Sequence, residues 1–348
     1  MKSKPKKKSS KKINWGISIA ILLFILLGAI ITIRRYTVDP FTNEAFTVYI
    51  RPETTFDELL KGIQNNVDKS TYYRFKRLAK LDGYELKMKP GAYKLDPSMS
   101  PVDVYRILSR GLQTPVSFKF NNIRTKEQFA QSVSRQLMAD SASIMTLFND
   151  STFIAKYGFN NETIVSMFFP DSYEFYWTIS AEEIFNRMKK EYDRFWTEAK
   201  IEKAKSMGVT PQELTTIASI AEEETNDKSE RGVVGRLYIN RYQINMPLQA
   251  DPTIKFALQD FSLKRILNTH LEVDSPYNTY KYPGVPPGPI RFVSKQTLQT
   301  ILSADAHDYI YMCAKEDFSG THNFAKSFSQ HQVNANRYRK ALNARNIK

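Results

Sequence analysis

A chain of 348 residues, 42% hydrophobic and 25% charged, is not a disordered polymer and is long enough for two domains with buried cores. Its formal charge of +14 suggests nucleic acid until the charge is located: seven lysines precede residue 13, Arg34 and Arg35 follow, and the first acidic residue is Asp39. Without those nine, 41 basic residues face 36 acidic ones, so nucleic acid is not an expected partner.

The span from Ile13 to Ile33 holds 21 residues and no charge, near the ~20 that a bilayer-crossing helix needs and longer than the ~7–15 of a signal-peptide core. Seven lysines before it against two arginines after it place the N-terminal side in the cytoplasm and residues from about 36 onward across the membrane. The expected plan is a basic tail at 1–12, one transmembrane helix at 13–33 and a large exported part. No cysteine lies near the span, which excludes a lipid anchor. The single cysteine, Cys313, sits in the apolar run YIYMCA and reads as a buried strand thiol with no disulfide partner.

After a polar linker, Phe46–Ile50 reads as a strand. Thr55 and Glu58 form a capping box ahead of a helix carrying Phe56, Leu59, Leu60 and Ile63. A second helix begins after Ser70, and Lys89–Leu95 supplies a turn and a strand. Ser100–Pro101 starts another helix that ends at Gly111. A domain boundary is placed near residue 113, giving domains at 36–113 and 114–348. Val116–Phe120 alternates like a strand, and Thr125 with Gln128 caps the next helix. The aromatic run Phe168–Trp177 reads as core packing around a Pro-Asp turn. Ser180 with Glu183 opens one long amphipathic helix that stops before Gly208.

Thr210 as N-cap, Pro211 at the first position and Glu213 open the segment on which the rest turns. Leu214, Ile217, Ala218, Ala221 and Thr225 share a stripe that should face a core; Glu222 and Glu224 flank it and Glu223 points away. A carboxylate at the edge of an apolar face is partly desolvated, which raises its pKa towards the range of a general acid. A solvated helix end is the plainer reading of three consecutive glutamates. A further helix runs from Ser229 to about Tyr242, and Asp251–Pro252 reads as N-cap and first position of a short one. Tyr277–Ile290 is too rich in proline and glycine for helix or sheet and reads as a long ordered loop. Strands around Tyr309–Ala314 and His322–Phe324 and a basic helix close the chain.

No Gly-x-Ser-x-Gly elbow, Walker loop or dinucleotide fingerprint is present, and the four histidines never approach metal-ligand spacing. Neither a metal nor a cofactor is expected, which leaves carboxylate acid/base chemistry. The ordered motifs Ala218-Ser-Ile-Ala-Glu222-Glu-Glu-Thr225, Ser229-Glu-Arg231, Ile239-Asn-Arg241, Leu248-Gln-Ala-Asp-Pro-Thr253, Tyr277-Asn-Thr-Tyr280, Gly284-Val-Pro-Pro-Gly-Pro-Ile290 and His322-x-Phe324 resemble the endolytic murein transglycosylases, the YceG-like family. The resemblance covers most of residues 36–335. It departs at Val165–Ser166, where the family carries an acidic-glycine pair.

The resemblance implies an α+β fold, a small LysM-like strand–helix–helix–strand domain and a larger mixed α/β catalytic domain. It further implies a lytic transglycosylase of the inner membrane. Such an enzyme cleaves the MurNAc-β-1,4-GlcNAc bond inside peptidoglycan strands and leaves 1,6-anhydro-MurNAc ends. Peptidoglycan glycan strands are then the substrate and peptidoglycan synthases candidate partners. The family's catalytic glutamate falls on Glu222, expected to protonate the glycosidic oxygen and then to take a proton from the sugar's 6-hydroxyl. Gln249, Tyr277, Asn278, Tyr280 and His322 are candidate substrate contacts. Glu224, Arg231, Asn240, Arg241 and Asp251 are assigned supporting roles, Glu224 as a partner of Arg231 and Asp251 as the N-cap. A muramidase-type hydrolase and a non-catalytic peptidoglycan-binding scaffold are the alternatives.

Overall fold

The computed structural model describes residues 15–345. Helix and strand are mixed throughout, and the chain forms two compact units. One is the chain up to Val116 with Tyr176–Thr178; the other is Ser117–Phe175 with the chain from Ile179 onward.

Helix α1 (Trp15–Thr37) buries no residue and is long and apolar enough to cross a membrane. At ~1.5 Å per residue its length is about 34 Å, a little more than a bilayer's ~30 Å hydrocarbon core. The expected basic tail, with Ile13 and Asn14, lies outside the described residues. The first unit continues with β1 (Phe46–Ile50), α2 (Phe56–Gln64), α3 (Lys69–Leu81), β2 (Gly91–Leu95) and α4 (Pro101–Arg110). β1 and β2 pair antiparallel from Phe46↔Leu95 to Ile50↔Gly91. Their inward residues join Phe41, Leu60, Ile63, Phe75, Tyr84 and Leu108 in one core. The cap of α3 is Asp68, whose carboxylate accepts from the Ser70 and Thr71 amides, rather than Ser70 itself.

Next in the chain, β3 (Val116–Phe120) pairs with β4 (Asp171–Phe175). Between them lie α5 (Lys126–Gln136), α6 (Ser141–Asn149) and α7 (Ser151–Ala155). The aromatic run is packing: Phe168 lies 4.9 Å from Phe129 and 5.0 Å from Phe185, ring centre to ring centre. The single long helix expected from Ser180 is two, α8 (Ala181–Phe195) and α9 (Glu198–Ser206). Trp196, at ψ 72°, leaves the helical region and Thr197 restarts the chain as the N-cap of α9.

Helix α10 (Pro211–Glu224) is the centre of the second unit, with every residue from Leu214 to Glu222 buried. It packs on α9, α11 (Arg231–Gln243), α12 (Asp251–Leu258) and α13 (Lys295–Ser303). α11 comes close to α13 because Gly235 faces it; a Cβ there would sit 2.5 Å from Ile301. The sheet of β5 (Tyr311–Ala314) and β6 (His322–Ala325) is backed by α14 (Phe328–Ala344). The proline-rich loop is pinned to α10 where the Ile290 amide donates to Ser219 Oγ at 3.0 Å.

Candidate active site

The three glutamates that end α10 have three environments. Glu222, the expected acid, lies inside an ion-pair network. Arg231 Nη1 approaches its Oε1 at 3.0 Å and Arg291 Nε its Oε2 at 3.3 Å. The Ser294 and Thr297 hydroxyls donate to Oε1 as well, and the side chain is only 4% exposed. Three donors converge on Oε1, while Oε2 has the ion pair with Arg291, a residue at the end of the proline-rich loop, and no hydrogen bond from its Nε. Glu223, expected to point away from the apolar stripe, binds Arg124 at 2.9 Å and Arg291 at 2.8 Å. Arg231 is therefore held by Glu222, and not by Glu224 as the sequence suggested.

Glu224 heads a cavity of about 250 Å3 lined also by Leu237, Tyr238, Arg241, Gln249, Asp251, Tyr280, β5 residues 312–314 and His322. Burial pushes its carboxyl up to about 7, against the pull of the Tyr238 hydroxyl that donates to Oε1 at 3.0 Å; the charge of Asp251 adds to the rise. A carboxyl poised near neutrality at the head of an open cavity has the property a general acid needs.

The cavity wall is held by buried polar groups. Arg241 donates from Nε to the Ile310 carbonyl and from Nη1 to the Leu248 carbonyl, both at 2.6 Å, tying the start of β5 to the Gln249 turn. Gln249 has φ +49°, a left-handed conformation that a β-carbon disfavours. Its amide donates to the Thr279 carbonyl and the following Ala250 amide to Thr279 Oγ1, which imposes that conformation and leaves the Gln249 side chain exposed. Asp251 is not the cap of α12: Ala250 takes that position, and Asp251 instead accepts from the Tyr280 hydroxyl at 2.5 Å.

Of the expected substrate contacts, Gln249, Tyr280 and His322 meet around Glu224. Tyr277 does not: it packs on Phe256 at 4.7 Å and lines a separate cavity of about 460 Å3. Asn278 is fully buried and shapes the loop, donating to the Leu271 and Val273 carbonyls and accepting from the Tyr280 and Lys281 amides. Asn240 donates to the His307 and Tyr309 carbonyls, away from the cavity. Cys313, expected to be buried, is half-exposed on the cavity wall. Neither Tyr238, an inward residue of its helix, nor Glu230, in the Ser229-Glu-Arg231 motif, was given a site role by the sequence; Glu230 takes both the backbone N–H and Nδ1 of His322, at 2.8 and 3.0 Å.

The second unit therefore mixes helix and strand and carries a polar cleft with one near-neutral carboxyl. Residues 48–337 match the model of the YceG-like family, and the chain belongs to that family. It is similar to the endolytic murein transglycosylase of Bacillus subtilis strain 168, 36% identical over 46% of this chain and 43% of that one. The endolytic murein transglycosylase of Streptococcus pneumoniae serotype 2 is 29% identical over 65% of this chain and 46% of its own length. The chain thus spans less than half the length of these curated relatives. The crystal structure of a yceG-like protein from Listeria monocytogenes shares the fold, with a TM-score of 0.56 and 24% identity over 84% of this chain and 99% of that one.

Proposed function

We propose that the chain is an endolytic lytic transglycosylase of peptidoglycan in which Glu224, not Glu222, is the catalytic acid. The observation that carries this reading is the Glu224 carboxyl, raised to about 7 at the head of the cavity. The protonated carboxyl gives its proton to the MurNAc–GlcNAc glycosidic oxygen as the C1–O4 bond breaks. The 6-hydroxyl of the same MurNAc closes on C1 and forms the 1,6-anhydro ring. Holding that hydroxyl against C1 makes the step intramolecular, an advantage of up to ~7–11 kcal/mol. Gln249 and Tyr280 offer an amide and a ring edge to orient the sugar. The names of the relatives support the substrate class, and α1 would hold the enzyme at the membrane with its N-terminal side in the cytoplasm.

A second carboxylate in the cavity, Asp251, favours one competing reading, a hydrolase that activates water. Its Oδ1 is occupied by the Tyr280 hydroxyl, which argues for positioning that ring instead. Digestion of purified sacculi followed by product masses tests both readings. The wild type should release anhydro ends, lighter by one water than the reducing ends a hydrolase leaves, and Glu224→Gln should lower release by ~10²–10⁴-fold. Reducing ends, or full activity in Glu224→Gln, would overturn the proposal.

A further inference from the structure

His322 lines the cavity and is gripped by a carboxylate, Glu230, that is not itself among the lining residues. Glu230, at the N-terminal end of α11, accepts the His322 backbone N–H at 2.8 Å and faces Nδ1 at 3.0 Å. Thr225, which follows Glu224, donates to the same Glu230 oxygen at 3.3 Å. A carboxylate only accepts, so Nδ1 carries the proton, and in the neutral ring Nε2 is then the nitrogen with the lone pair. Nδ1 is thereby committed, whereas Nε2 has no hydrogen-bond partner among the described residues, and His322 lines the cavity that Glu224 heads. A carboxylate behind an imidazole, with the second ring nitrogen free towards substrate, is the arrangement that makes a general base.

We propose that the Glu230–His322 pair is the base of the ring-closing step, with Glu224 serving as acid alone. This rests on the lytic reading above and replaces its expected single-carboxylate shuttle. As C1–O4 breaks, the Glu224 proton moves to O4; as O6 bonds to C1, the O6 proton moves to His322 Nε2. Glu224 is left as carboxylate and His322 as imidazolium, opposite charges in one cavity. The proton returns from His322 to Glu224 through solvent after the product leaves, so no proton is gained or lost per turnover. The other charged or titratable groups on the cavity wall are Tyr238 and Arg241 from α11, Asp251 from α12, Tyr280 from the loop and Cys313 from β5. From α14, His331 stacks on Tyr311.

The test is the pH dependence of anhydro-end release from sacculi by the full chain. For the wild type, the rate should fall on the alkaline side as Glu224 loses its proton and on the acid side as His322 gains one. Glutamine at 322 can still donate to Glu230, so His322→Gln preserves the clamp on β6 but cannot accept a proton. It should lower kcat by ~10²–10³-fold, leave KM nearly unchanged and abolish the acid-side fall. Added imidazole should restore part of the rate to His322→Ala. Glu230→Gln should move the acid-side fall to lower pH, because removing the negative charge disfavours the imidazolium. Anhydro release by His322→Gln at the wild-type rate, or with the acid-side fall unmoved, overturns this inference alone. A wild type that releases reducing ends or nothing overturns the lytic reading and this inference with it.

Discussion

Consecutive glutamates at the end of α10 differ in what their neighbours ask of them. Glu222 pairs with Arg231 and Arg291, 15% and 12% exposed; deleting its charge leaves Arg231 buried without a carboxylate among the described residues, while Arg291 keeps Glu223. Breaking such a pair costs about 3–5 kcal/mol. Glu222→Gln should therefore lower the melting temperature by roughly 6–20 °C, at ~2–4 °C per kcal/mol for a unit of this size. Glu224 behaves in the opposite sense. Folding raises its carboxyl from the ordinary 4.5 to about 7, so the folded state binds that proton more tightly than the unfolded chain. The contribution is full below about pH 4.5 and is lost as pH rises through about 7. Across that window the wild type should lose about 1–3 kcal/mol that Glu224→Gln does not lose. Thermal melts of both variants between pH 4 and 8 check the pair. An activity loss in Glu222→Gln with unchanged melting would return the acid to residue 222.

At the level of elements, what could be read from the sequence is what lies within four residues. The side-chain caps Thr55, Ser100, Thr125, Ser180 and Thr210 were legible because cap and N3 partner are near neighbours. Helical period gave the apolar stripe of α10 but not that the helix is buried all round from Leu214 to Glu222, which its neighbours α9, α11, α12 and α13 decide. The glutamates were not separable on the same grounds, since the deciding groups come from afar: Ser294, the N-cap of α13, and Thr297 on α13 for Glu222, Tyr238 on α11 for Glu224. The break at Trp196 was hidden because no glycine or proline interrupts the chain between Ala181 and Gly208, and Asp251 mimicked a cap because Pro252 follows it. The α11–α13 contact was equally invisible, yet it sets where Tyr238 and Glu230 stand. Gly235→Ala places a Cβ 2.5 Å from Ile301 and forces the helices apart. It should cost about 1–3 kcal/mol and reduce release of anhydro ends, because the Tyr238 hydroxyl moves away from Glu224. A Gly235→Ala variant with full activity and unchanged melting would show that the spacing of α11 is not critical.

For the molecule as a whole, the arrangement to explain is an apolar helix with a basic flank and, further along the chain, a polar cleft of about 250 Å3. Twenty-three residues of α1 with no buried side chain have no soluble core to enter. A bilayer is the environment that removes their apolar surface from water, at about 25 cal/mol per Å2. The full chain should stay in the membrane fraction through high salt and alkaline carbonate, which strip proteins held only by surface charge. The lysines predict the orientation: seven before the span against two arginines after it should hold the N-terminal side in the cytoplasm. Protease added outside spheroplasts should then digest the chain beyond α1 and spare a tag placed ahead of residue 1. Replacing the seven lysines by glutamine removes the bias, so a fraction of the molecules should insert the other way and become protected. That fraction would carry its cleft on the cytoplasmic side, away from assembled peptidoglycan, so the loss of cell-wall cleavage in cells should track the protected fraction while activity on isolated sacculi stays constant. Uniform orientation in the lysine-free variant would mean that the folded units beyond α1, not the basic flank, decide which way the helix inserts.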